Sequence, residues 1–169
     1  MNTIQFALQK IGIERPTWQT VVVSASKDVV LPRQRLWDVW MKLEDWPKWS
    51  TPLHVSTRWI GEPGWEVGSR FEQVIDLGFP LGKTVSLETV RAVTDAESVS
   101  WWKDEKGVKS CHVWEFTALS PDRTQITNTE VFHGLFIGLV KPLAARRWQS
   151  LFEASVAGLI QSTQTGKKG

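Results

Sequence analysis

Between Leu53 and His133 the chain falls into six short runs of alternating residues separated by turn signals, and one helix-period stripe follows them. The turn signals are "GEPGWEVG", "LGFPLGK", "TDAE", "KDEKG" and "SPDR". This spacing predicts consecutive antiparallel strands at about Leu53 to Gly61, Ser69 to Asp76, Lys83 to Val93, Ser98 to Lys103, Lys109 to Leu119 and Thr124 to His133. Upstream, "WQTVVVSASKDVVLPRQRLWDVW" reads as a β-branched strand, a turn and then Pro32 at a first helical position, which makes seven strands in all. Leu36, Val39, Trp40 and Leu43 fall on one helical face, and Pro47 divides off a second short helix or turn in "EDWPKWS".

The final stripe is Trp148, Leu151, Phe152, Ser155, Val156, Leu159 and Ile160, at three- and four-residue intervals. Pro142 either kinks this helix or marks its start. Strand, two helices, six strands and a long helix make an α+β chain, with one curved antiparallel sheet gripped by the C-terminal helix. A length of 169 residues suits one domain with a substantial core. We read residues 19–163 as that domain, 1–18 as a leader segment and 164–169 as a frayed tail.

Charge and cysteine content exclude several classes. Twenty basic against eighteen acidic residues leave a formal charge of +2, too weak a field to suggest a nucleic-acid partner. The single Cys111 excludes an internal disulfide framework, and "MNTIQFALQKIGIERP" lacks the basic and apolar regions of a secretory signal. The longest apolar stretch, Val131 to Ala145, is shorter than a bilayer span and contains His133 and Lys141. The expectation is a cytoplasmic protein, monomer or homodimer, without a transmembrane segment.

Chemical motifs are sparse. "GFPLGKT" from Gly78 has three residues between its glycines where a phosphate loop requires four, so it reads as a hairpin turn. His54, His112 and His133 are widely separated, and neighbouring Cys111 and His112 point to opposite faces of one strand, so no metal site is expected. No G-x-S-x-G or G-x-G-x-x-G motif is present, and no cofactor is implied.

The faces of two strands say more. His112, Trp114 and Phe116 share one face, as do Ile126, Asn128, Glu130 and Phe132. Polar groups on an aromatic face need partners, because an unpaired buried polar group costs about 1–3 kcal/mol. Two readings stay open: His112, Asn128 and Glu130 pair with one another, with backbone or with water, or they orient a ligand in a mostly apolar cavity.

Three segments carry a family resemblance. "V-x-A", "P-x-x-x-L-W-D-V" and "D-W-P-K-W-S-T-P" in the opening stretch, "CHVWEFTALSPDRTQIT", and "NTEVFHGLFIGLVKPL" resemble the START-like, or polyketide cyclase/dehydrase and lipid transport (SRPBCC), superfamily. The resemblance implies a helix-grip fold with an apolar cavity between sheet and C-terminal helix. Its walls would include Phe71, Trp101, Trp114, Phe116, Phe132, Trp148 and Phe152, with His112 and Glu130 as polar markers. The leader has no counterpart, and its Ile4, Phe6, Leu8, Ile11 and Ile13 either cover the sheet's outer face around Trp102 or form a dimer contact.

Three functions follow from that resemblance. The first is a binding or carrier protein for a hydrophobic small molecule, lipid-like, polyketide-like or aromatic. The second is an aromatase/cyclase or dehydratase, for which His112 and Glu130 are the catalytic candidates. The third is a protein-interaction module resembling the chaperone activators of this fold, working through an exposed apolar surface.

Overall fold

A computed structural model describes residues 2–105 and 107–166. A short helix α1 (Thr3–Lys10) precedes β1 (Thr20–Val29), and α2 (Arg33–Trp40), a 3-10 turn (Leu43–Asp45) and α3 (Trp46–Trp49) lie between β1 and β2. Six strands then run without interruption: β2 (His54–Ile60), β3 (Arg70–Asp76), β4 (Lys83–Thr94), β5 (Ser98–Glu105), β6 (Val108–Ser120) and β7 (Arg123–His133). Helix α4 (Leu135–Thr165) closes the chain.

All seven strands form one antiparallel sheet in the order β1-β7-β6-β5-β4-β3-β2. Because β1 comes first in sequence but pairs with the last strand, the two helices after it must cross one end of the sheet to reach the far edge. Alternation along each strand then sorts the side chains into two layers. Toward α4 lies the main core, which gathers Phe71, Val90, Trp101, Trp114, Phe116, Ile126, Trp148, Phe152 and Leu159 with Trp37, Trp40, Trp46 and Trp49 from the crossing helices. Gln149 fixes α4 to the edge strand, accepting from Ser24 N–H at 3.1 Å and donating to Ser24 O at 2.8 Å.

A smaller cluster covers the opposite face of the sheet: Ala7, Leu8 and Ile11 of the leader on Cys111, Val113 and Val131, with Trp102 packed alongside. The leader therefore contains a helix that caps the outer face, the first of its two expected roles. At the other end, helix runs on through Thr165, and residues 167–169 of the expected frayed tail lie outside the described residues. Pro142 sits inside α4 two turns past its start, so the start is Leu135 and not the proline.

Candidate binding site

Every wall residue implied by the resemblance is on the sheet's α4-facing side or on α4 itself. Phe71, Trp101, Trp114, Phe116, Trp148 and Phe152 are fully buried, and Phe132 is nearly so. Their rings touch. Trp101 meets Phe71 edge-on at 5.2 Å, Trp148 lies against Phe132 at 5.3 Å, and Trp40 sits between Trp37 at 5.2 Å and Trp65 at 4.5 Å.

His112, Asn128 and Glu130 are brought together by strand register, since His112 lies opposite Glu130 across the β6–β7 ladder. His112 Nδ1 is 3.1 Å from Glu130 Oε2, and its Nε2 is 2.6 Å from Asn128 Oδ1. Both ring nitrogens thus face side-chain oxygens. The ring lies between Trp101, tilted by 38° at 4.5 Å, and Phe152, stacked at 5.3 Å. Of the two readings left open by the sequence, mutual pairing is the one observed.

A second polar chain crosses the same interior. Ser155 on α4 meets Ser50 at 2.7 Å, Ser50 meets His54 Nδ1 at 2.7 Å, and His54 Nε2 reaches Gln73 Oε1 at 3.1 Å. Gln73 donates to Glu88, which also accepts from Ser86 Oγ at 2.6 Å and from Lys103 Nζ at 2.8 Å. Burial, with a smaller push from His112, lowers the His54 pKa to about 3, so this ring is neutral. A neutral ring donating from Nε2 to Gln73 must accept at Nδ1, so the Ser50 hydroxyl donates to it.

Sequence reading missed Ser50, Gln73, Glu88 and Lys103, placed Ser155 only as a member of the helix stripe, and set His54 aside. The signal was present: Gln73 shares strand parity with Phe71, Glu88 with Val90 and Lys103 with Trp101. A polar residue in phase with buried aromatics marks an interior position.

Not every interior donor is matched. Trp40, Trp49, Trp114 and Trp148 Nε1 and Asn128 Nδ2 are buried without a hydrogen-bond partner among the described residues. By contrast Trp46 Nε1 donates to Trp40 O and Trp65 Nε1 to Met41 O, each at 2.7 Å. Trp114 pairs across the ladder with Asn128, and its ring contacts Trp40 at 6.1 Å and Trp49 at 6.2 Å, so four of the five orphaned groups belong to one contiguous set of residues.

Among the described residues, five cavities of 320–520 Å³ are grooves open at the surface. One of 520 Å³ lies between α3 and α4 beside Trp49 and Gly158; among the expected wall residues only Phe116 lines any of the five, in a groove with Arg33 and Glu97. The space between sheet and α4 is occupied by tryptophan and phenylalanine side chains.

A family model described as polyketide cyclase/dehydrase and lipid transport matches residues 20–163. No curated protein matches the chain in sequence. Among solved structures it is similar to a hypothetical protein from Helicobacter pylori, with a TM-score of 0.72, 17% identity and coverage of 96% of this chain and 97% of that one. It is also similar to an aromatase/cyclase from Streptomyces sp. R1128 (TM-score 0.67, 14% identity, 89% and 97% covered). A norcoclaurine synthase mutant from Thalictrum flavum gives a TM-score of 0.67 at 16% identity, with 88% and 97% covered. At such identities these likenesses establish the fold alone.

Proposed function

Since the chain belongs to the polyketide cyclase/dehydrase and lipid transport family, we propose that it binds and carries a hydrophobic, oxygen-bearing small molecule between the sheet and α4. The observation that carries this reading is the set of orphaned interior donors. Each unpaired group costs about 1–3 kcal/mol, and a domain's whole stability is only about 5–15 kcal/mol. Four indole N–H groups and one amide N–H, all donors, have their need met by a guest carrying carbonyl, hydroxyl or carboxylate oxygens. The aromatic walls supply the apolar burial, worth about 25 cal/mol per Å².

Room for the guest comes from the β2–β3 loop. Trp65 on this loop is only partly buried, yet its ring lies against Trp40, Trp46, Trp59 and Phe71. Lifting that one segment opens the aromatic cluster to solvent.

The His112–Glu130 pair favours the cyclase as a second reading, because a carboxylate beside an imidazole is a proton-transferring arrangement. Its obstacle is geometric. Both ring nitrogens are already engaged, so neither is free to take a proton from a substrate. Native mass spectrometry of protein purified from its own host tests binding: a retained small molecule is expected, and an unliganded mass throughout would overturn the proposal. His112→Ala separates the readings, since a carrier keeps binding with altered affinity whereas a cyclase binds a poly-β-ketone and no longer turns it over.

A further inference from the structure

The first three turns of α4 carry an apolar face that the fold leaves uncovered. Leu135, Phe136, Leu139 and Leu143 are 51–64% exposed, while Ile137, Val140 and Ala144 on the opposite side are buried. Two other segments extend this face. Trp18, 60% exposed, brings its ring against the helix because Gly138 has no side chain to hold it off. Phe79, 76% exposed, stands on the β3–β4 turn, whose Gly78 lies against the Arg147 side chain.

Charge identifies the occupant. From Leu135 to Phe152 the helix has no acidic residue but has Lys141, Arg146 and Arg147. Lys141 is directed at Thr20 O. Asp76, at the base of the β3–β4 turn, accepts the Gly78 N–H, and Glu153, the first acid on the helix, accepts from Gln149. A two-fold contact would set this helix segment against itself, and a segment with basic but no acidic residues offers no counter-charge to its own copy. An apolar helical stripe edged by arginines, with Trp and Phe beside it, instead has the composition of a segment lying in the headgroup region of a bilayer.

We propose that the solvent face of α4 from Leu135 to Arg146, together with Trp18 and Phe79, docks the protein onto an anionic lipid surface. The stripe is about 16 Å long at 1.5 Å per residue, and no helix among the described residues is long and apolar enough to cross a membrane. The docking is therefore peripheral. It stands independently of the interior ligand.

The test is co-sedimentation of the full chain with phosphatidylcholine vesicles and with phosphatidylcholine–phosphatidylglycerol vesicles, at low and high salt. Binding is expected to the phosphatidylglycerol vesicles and to weaken with salt. Leu139→Glu with Leu143→Glu should lower partitioning more than tenfold, and Arg146→Gln by roughly fivefold, the loss expected for one basic residue near such a surface. All three side chains are exposed, so melting temperatures should hold; if the glutamate pair melts early, the Arg146→Gln result decides. Equal binding to both vesicle types, no binding at low salt, or an unaffected Arg146→Gln variant would each overturn the proposal. So would a self-association that the glutamate pair abolishes in the absence of vesicle binding, which would make this face a contact between copies.

Discussion

Glu88 is a carboxylate almost wholly removed from water, and Lys103 is the ammonium that makes its burial tolerable. Removing one member of a buried pair strands the other, which costs about 3–5 kcal/mol, whereas replacing both by apolar groups is often neutral. Lys103→Met should accordingly lower the urea midpoint by an amount equivalent to about 3 kcal/mol, and Lys103→Met with Glu88→Met should recover most of it. His54 gives the pH counterpart. Its unfolded form takes up a proton near pH 6.5, while the folded form stays neutral down to about pH 3. The unfolded chain holds the extra proton throughout that window, so stability falls as pH falls through it, by up to about 1.4 kcal/mol per pH unit. His54→Asn should flatten the acid limb of the stability curve measured by urea unfolding; an unchanged limb would place the sensitivity elsewhere. Parity in the sequence marked Gln73, Glu88 and Lys103 as interior, but their partnership depends on register between strands, which no single run of residues encodes.

At the scale of elements, α3 and α4 meet at Gly158, where an added Cβ would run into the backbone carbonyl of Trp49. Gly158→Ala should push the helices apart and destabilise by about 1–3 kcal/mol despite the better helix propensity of alanine, as thermal melting would record. Helix α1 sets a second test. It buries Cys111, whose thiol is pushed up to about 12, by burial first and Glu130 second. The thiol should resist a disulfide reagent in the native protein, and Leu8→Ala should speed its labelling while costing about 2–4 kcal/mol. The strands were legible because alternation and turn residues are local signals. The start of α4 was ambiguous because Pro142 is tolerated within a helix that the sheet already holds in place. The stripe identified by periodicity was the buried half of α4, so the exposed leucines of its first turns passed as part of a long apolar stretch.

Over the whole molecule, a curled sheet wrapped round one helix was readable from element order, and the family match from residue 20 to 163 agrees with it. The interior was less legible. The family resemblance implied aromatic walls, but only the folded chain reveals which indoles are already bonded. That difference allows the account to be tested at single atoms. In a ¹⁵N–¹H spectrum of the indole groups, addition of a trihydroxyanthraquinone should move the signals of Trp40, Trp49, Trp114 and Trp148 downfield as their N–H groups find acceptors. That of Trp46, bonded to the Trp40 carbonyl outside the lifting loop, should change little. If the four interior signals stay in place, or if only surface Trp18 responds, the interior does not receive an oxygen-bearing guest and the binding account is wrong.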